Sequence, residues 1–361
     1  MTRIVSRSDA LARGISDAEL QRYCRTRAWR RLRPGRFVSR NEFDALPGED
    51  KHRVIAEAVF DATIAPDAVV SHVSAAIFHG LDVWNADLSR VHITRNRARG
   101  GGRSSALRAV HTSPYTDEEV VDFDGVRVTG LARTVADCAR SLPFETAVCV
   151  ADFAARTRGL TAEDVVATLD SCPNHPGSRM ARQVAEFMDG RSESVGESSA
   201  RVLLHQLGYS PQLQVQIVDD RGFVGRVDFD LPDIETVLEF DGKVKYGRYV
   251  PEGKSAADVL WEEKRREDRI RATGRQVVRI AWSDLDHPEL VDRMIRNAAD
   301  RAGRRNRATF PTDCTPLVAP EYSRAPGTGG VRSARTPSEV AESDIVSMVG
   351  LEGVPTSREQ A

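Results

Sequence analysis

The stretch that decides the fold of the last third of the chain is Arg226–Lys245, RVDFDLPDIETVLEFDGKVK. Strand side chains alternate between faces with a period of two. On a first strand Arg226, Asp228 and Asp230 point one way, and Val227, Phe229 and Leu231 the other. Pro232 and Asp233 supply a turn. On a second strand Val237, Glu239, Asp241 and, if it continues, Lys243 share a face, while Leu238 and Phe240 face away. Three of these acids, Asp228, Glu239 and Asp241, and a lysine thereby gather on one side of a hairpin. Carboxylates hold hard cations, a bound cation lowers the pKa of its water, and an ammonium stabilises phosphate charge. The plainer reading is a solvated strand face, with Arg226 as an internal neutraliser. Three converging acids repel one another without a cation or base among them, which weighs against it.

The spacing resembles that of the PD-(D/E)xK nuclease superfamily, and within it the very-short-patch-repair-like endonuclease domains. RVDF and VLEFDG carry the likeness, with the charged helix EEKRREDRIRATG (262–274), the strand QVVRIAWSDL (276–285) and the upstream helix SVGESSARVLLHQLGY (194–209). The resemblance covers about 192–300. It implies Mg²⁺ or Mn²⁺ as cofactor, Asp228 and Glu239 as metal ligands with Glu197 a further one, and Asp241, Lys243 and Lys245 among the catalytic groups. One departure stands out: Asp241 occupies the usual lysine position. Two repairs stay open. Asp241-Gly242-Lys243 is itself the motif element, or Glu239 and Asp241 both bind metal and Lys243, Lys245 or Lys264 supplies the ammonium.

Glu197 lies at the end of the apolar stripe Ala200, Leu203, Leu204, Leu207, where a carboxylate is costly unless paired or metal-bound. The bland account is a first-turn acid favoured by the helix dipole and paired to Arg201. Lys264 and the arginines around it read as a solvated helix face, or as a phosphate-contacting wall on a nuclease.

Net charge is −2, yet residues 1–40 hold eleven arginines against three acids, an excess of +8. One strongly basic end on a near-neutral chain is the footprint of nucleic-acid binding. In residues 1–48, Ser8 caps a first short helix that ends at Gly14, and Ser16 with Glu19 forms a capping box on a second. RRLRPGRFVSR has the strand–turn–strand shape of a wing with Pro34-Gly35 at its tip. This is a winged helix-turn-helix expectation, with Arg25, Arg27, Arg30, Arg31 and Arg36 as the DNA-contacting residues. The region, together with VVSHVSAAIFHGL (69–81), resembles AbiEi-type antitoxins and related transcriptional regulators. That implies double-stranded DNA as a partner, with a cognate toxin or a second copy of the chain as further candidates.

Residues 49–190 read as an α/β middle domain without a catalytic grouping: a long helical stretch from His52 to Leu81, strands RVHITRN and ALRAVHTSP, a strand running into a helix near Leu131, then three amphipathic helices. His72 and His79 read as helix-packing or capping residues, and the triple glycine at 100–102 as a flexible loop. Residues 191–303 form the endonuclease-like domain. Residues 304–361, rich in Pro, Gly, Ser, Thr and Arg, are expected to be disordered. The fold class is therefore α+β and multidomain. Five scattered cysteines without a CxxC argue for reduced thiols in a cytoplasm and against a disulfide scaffold or zinc site. No apolar run reaches membrane-spanning length and no phosphate-binding GxxxxGK[ST] loop is present. Two functions compete: a metal-dependent DNA endonuclease with its own DNA-targeting module, in phage defence or DNA repair, and a non-catalytic antitoxin or repressor built on a degenerate nuclease fold.

Overall fold

Alternating capped helices and β-branched strands give two compact units, each described here from a computed structural model. The structure describes residues 3–61, 65–98, 100, 104–172, 175–242 and 255–303. The expected disordered tail, Lys243 and Lys245 lie outside the described residues.

The first unit holds the chain up to Ser141 together with Ala167–Pro176. It begins with β1 (Val5–Ser6), α1 (Arg7–Ala12) and α2 (Asp17–Arg25). Ser6, rather than Ser8, caps α1, because Ser6 Oγ is the group that meets the amide of Asp9. Ser16 and Glu19 form the expected capping box on α2. A hairpin follows, β2 (Trp29–Arg33) and β3 (Arg36–Ser39), in a sheet of order β1-β3-β2. Then come α3 (Arg40–Asp44) and α4 (Gly48–Asp61). Leu32, Val38 and Phe43 share one apolar core with α4 and with the sheet beyond it, so residues 1–48 do not separate as a unit of their own.

That sheet comprises β4 (Ala68–Val70), β5 (Val91–Arg95), β6 (Arg108–Thr112), β7 (Val120–Phe123) and β8 (Val126–Thr129), in the order β6-β5-β4-β8-β7. The long helix expected over 52–81 is interrupted. Pro66 breaks it, and the fully buried, β-branched Val69 and Val70 form a central strand before α5 (His72–Phe78). α6 (Leu131–Ser141) starts where the sequence places it.

The second unit holds Leu142–Val166 and the described residues from Gly177 onward. The sequence puts three amphipathic helices in the middle domain. Two of them, α7 (Phe144–Arg158) and α9 (Ser178–Phe187), belong here instead, and the division runs through α8 (Ala162–Asp170). The reason is a buried ion pair. Asp152 of α7 accepts from Arg201 Nη2 with both carboxylate oxygens (2.9 and 2.8 Å), from Ser198 Oγ (2.8 Å) and from the Asp189 amide (2.7 Å). Arg201 and Ser198 sit on α10 (Val195–Gln206). A carboxylate this buried is tolerable only when so fully matched.

From α10 the chain runs β9 (Gln212–Asp219), β10 (Gly222–Leu231), β11 (Thr236–Asp241), α11 (Ala256–Ala272), β12 (Gln276–Ala281), α12 (Trp282–Leu285) and α13 (Pro288–Arg301). The sheet order is β12-β11-β10-β9, with β9, β10 and β11 an antiparallel meander and β12 parallel to β11. Phe229, Leu231, Leu238 and Ile280 pack with Leu203 and Leu204 of α10 and with Ile295 of α13. Val237 and Ile217 pack with Ile270 of α11. Helices therefore cover both faces of this sheet, and each large apolar side chain so buried contributes about 1.5–3 kcal/mol.

Candidate functional site, a carboxylate cluster on the sheet

Antiparallel pairing sets Phe229 against Leu238. Carrying that register one residue further puts Asp228 opposite Glu239, the pair the period-two reading places on one face. Asp228 Oδ2 accepts the backbone N–H of Phe240 (2.8 Å). Among the described residues no lysine or arginine pairs with Asp228. Burial pushes its pKa up to about 6, and the negative charges of Glu197, Glu239 and Glu193 push the same way against the Phe240 hydrogen bond. This is the signature of acids crowded into one place.

Glu239 differs. Arg266 of α11 donates to Oε1 (2.6 Å) and Arg279 of β12 to Oε2 (3.4 Å). Arg279 also reaches Glu263 (2.8 Å) and Glu267 (3.1 Å). Lys264 stands apart, exposed, in an open cleft of about 500 Å³ lined also by Trp261, Glu263, Glu267, Asp268 and Arg279.

Glu197 is buried, as the stripe position requires, but its oxygens are committed. It accepts the amide of Glu193 (2.9 Å), the hydroxyl of Ser194 (2.9 Å) and the side-chain amide of Gln214 (2.8 Å), while Ser194 Oγ accepts the Glu197 amide (3.2 Å). Arg201 is not its partner, being held by Asp152. Gln214 reaches Glu197 because its backbone is left-handed (φ +55°) in mid-strand. The ladder pairs Val227 with Val215 and Phe229 with Leu213 but skips the position between them. The start of α10 rests directly on the sheet at Gly196. A Cβ there would meet the Phe240 ring at 2.0 Å, and that ring meets Trp282 edge-on at 5.2 Å.

Of the remaining hairpin acids, Asp230 is buried and matched by Arg275 (3.2 and 3.1 Å). Asp241 is exposed at the strand end. Arg226 pairs with Glu193 (2.7 Å) rather than neutralising its own strand. The structure thus brings together Asp228, Glu239 and Glu197, although their ligand oxygens do not all fall within 4.8 Å of one another. Arg279 and Gln214 were missed by the sequence reading, which placed Arg266 only with Lys264 on a solvated or phosphate-contacting helix face and not against Glu239. The i+27 and i+40 separations of the two arginines from Glu239 carry no local signal.

In the first unit Arg25, Arg27 and Arg31 are exposed. Arg30 is turned inward, donating to Asp44 (3.3 Å) with its guanidinium 4.8 Å from the Phe43 ring centre. Arg36 is half-buried and paired with Asp61. The surface-facing members of the expected DNA-contacting set are therefore three, not five.

Three histidines that the sequence reading did not connect come together elsewhere in this unit. His72, at the start of α5, stacks on His111 of β6 (ring centres 3.7 Å) and lies 5.5 Å from His92 of β5. One nitrogen from each lies within 4.8 Å of the others. The sequence argument against a zinc site weighed cysteines and local spacing, and parallel pairing of β5 with β6 defeats local spacing. His79, read as a packing residue, hydrogen-bonds the Thr129 carbonyl (2.7 Å).

No family model matches the chain. It is similar to the uncharacterized protein Rv2248 of Mycobacterium tuberculosis strain H37Rv and to its counterpart MT2308 in strain CDC 1551. Each is 28% identical over 238 residues, which span 62% of this chain and 84% of the relative. Among solved structures, the crystal structure of the RV2827C protein from Mycobacterium tuberculosis aligns with 55% of this chain and 74% of its own, at 13% identity and a TM-score of 0.35.

Proposed function

We propose that the second unit is a metal-dependent phosphodiesterase acting on DNA, and that the basic N-terminal region helps hold the duplex. The observation that carries this reading is Asp228, a carboxylate with carboxylates for neighbours and no described cationic partner. Such an arrangement costs stability unless a cation is meant to arrive. The donor set is hard oxygen, which suits Mg²⁺ or Mn²⁺. Asp228 and Glu239 would hold the ion, which supplies an activated water and neutralises phosphate charge. The chain's own residues do the rest. Arg266 and Arg279 fix the Glu239 carboxylate. Glu197, tied by Ser194 and Gln214, anchors the helix start beside Asp228. The order of elements, helix, three-stranded meander, helix, then a strand parallel to the third, agrees with the restriction-endonuclease-like expectation. Exposed Arg25, Arg27 and Arg31 suit phosphate contacts.

A second reading rests on a specific observation. Both Glu239 oxygens are engaged by arginines, so the pocket is partly self-neutralised, as in a DNA- or partner-binding module that has lost catalysis. A repressor of the antitoxin type would follow.

Cleavage of supercoiled plasmid and of defined duplexes in Mg²⁺ or Mn²⁺ separates the two. The nuclease reading expects metal-dependent nicking that Asp228→Asn and Glu239→Gln each lower by on the order of 10²–10³-fold. Intact DNA under every metal, with tight promoter binding unchanged in Asp228→Asn, would establish the repressor instead.

A further inference from the structure

We propose that His72, His92 and His111 form a binding site for a divalent transition-metal ion of the zinc class. The site lies in the first unit and is independent of the carboxylate cluster. His92 Nδ1 and His111 Nε2 stand 3.1 Å apart. Two nitrogens bound to one tetrahedral Zn²⁺ at about 2.0–2.1 Å are separated by roughly 3.4 Å, so this pair is already at ligand spacing. His72 completes a trio within 4.8 Å.

The surroundings hold the rings in place. His72 Nδ1 lies 2.9 Å from Ser71 Oγ, which accepts a hydrogen bond from Thr94 Oγ1 (2.7 Å). Donation by His72 Nδ1–H to Ser71 leaves Nε2 as the lone pair for the ion, the usual outer support of a metal-bound imidazole. The backbone N–H of His92 is held by Ser74 Oγ (2.9 Å), which also meets His52 Nε2 (2.8 Å). His52 is itself anchored through Nδ1 to the Leu88 carbonyl (2.9 Å). His72 adopts a left-handed backbone (φ +55°), unfavourable for a non-glycine residue and a feature that concentrates at functional sites. Burial keeps the imidazoles neutral, which is the ligating form.

The charged neighbours are mixed. Arg90, Arg133 and Arg140 act on the cluster from one sign, Asp87 and Asp137 from the other. Affinity must therefore come from the nitrogens, which select Zn²⁺, Cu²⁺, Ni²⁺ or Co²⁺ over Mg²⁺. When the ion binds, whichever of His92 and His111 donates in their hydrogen bond shifts its N–H to its other ring nitrogen, so both facing nitrogens present lone pairs and both rings stay neutral. Three protein ligands leave a fourth position for water or an exchangeable group.

The test uses full-length protein stripped with a chelator and titrated with Zn²⁺ by calorimetry, with Mg²⁺ as the control metal. One Zn²⁺ per chain is expected, at least about tenfold weaker in Ser71→Ala and weaker still in His92→Ala and His111→Gln. The absorption edge spectrum of the Zn²⁺-loaded wild type reads the ligands without any variant, and should show imidazole nitrogens at about 2.0 Å. Equal Zn²⁺ uptake by wild type and the His92→Ala/His111→Gln double variant overturns the proposal. A ligand shell without imidazole also overturns it.

Discussion

The two clusters solve opposite problems. In the first unit three imidazoles cluster, His72 buried and His92 and His111 half-buried, and this removal from water keeps them neutral, so the cluster tolerates having no ion. In the second unit Asp228 is crowded by other carboxylates, and burial only raises the cost of its charge. A nitrogen cluster can wait for a metal at little expense, whereas an oxygen cluster is under electrostatic load until one arrives. The same contrast recurs along a single strand. Asp230, two residues from Asp228, is just as firmly part of β10 but is matched by Arg275. β10 thus holds one acid that is ion-paired and one that is not, and the proposal rests on the second.

The sharpest way to break the comparison is to swap metals and variants across the two sites. Asp228→Asn should lower Mg²⁺-dependent cleavage by on the order of 10²–10³-fold, the range seen when one charge-stabilising group is lost from an active site. It should leave Zn²⁺ uptake unchanged. The His92→Ala/His111→Gln double variant should do the reverse, measured by plasmid nicking and by calorimetry on the same preparations. If either variant lowers both readouts, the sites are not independent.

Acidity provides the next test, because the units should respond with opposite sign. His52 is fully buried and its pKa falls to about 4 against an ordinary 6.5. Its neutral-state contribution is complete above pH 6.5 and is lost as pH falls toward 4, by about 3 kcal/mol in order of magnitude. Asp228 runs the other way. With its pKa raised from 3.8 to about 6, its charge penalty is absent below pH 3.8 and complete above pH 6. Between pH 6 and 4 the first unit should weaken while the Asp228 penalty on the second is relieved. Hydrogen exchange across that range reads each unit separately. Asp228→Asn should reduce the second unit's dependence, to which Glu145 and Asp152, also raised by burial, contribute, and an unchanged dependence would show that Asp228 is not a group that titrates there.

The smallest effects lie within β10. Asp230→Asn should cost about 1–2 kcal/mol, since it leaves Arg275 without its charged partner. Above pH 6, Asp228→Asn should stabilise by about 1 kcal/mol once solvent screening is allowed for. Urea melts at pH 7.5 measure both, and changes of the same sign would erase the distinction between the two acids.

What could be read in the chain follows range of interaction. Asp228 facing Glu239 was legible because a hairpin places neighbours by counting in twos from a turn at Pro232. Glu197 was legible as buried because a helix repeats every 3.6 residues. Its commitment to Ser194 and Gln214 was not, because Gln214 departs from strand geometry without any glycine or proline to announce it. Arg30 reads as basic surface in composition, yet strand alternation beside Leu32 turns it inward. The histidine trio was invisible for a topological reason. Its members come from three elements, and nothing local says that β5 and β6 run parallel in a register that sets Thr94 beside His111. The signal available was modest: one histidine in each of two strands, between or after β-branched apolar neighbours, VHI and AVH.

The contact between Gly196 and Phe240 has a consequence for how this chain can change. The helix seats on the ring edge with no room for a methyl group, so the acid at the next position is aligned by what residue 196 lacks. Drift at either partner is therefore tied to the other. Gly196→Ala alone should wedge the helix away from the sheet, and a smaller residue in place of Phe240 should let it settle back. In related chains the two positions should trade volume as a pair.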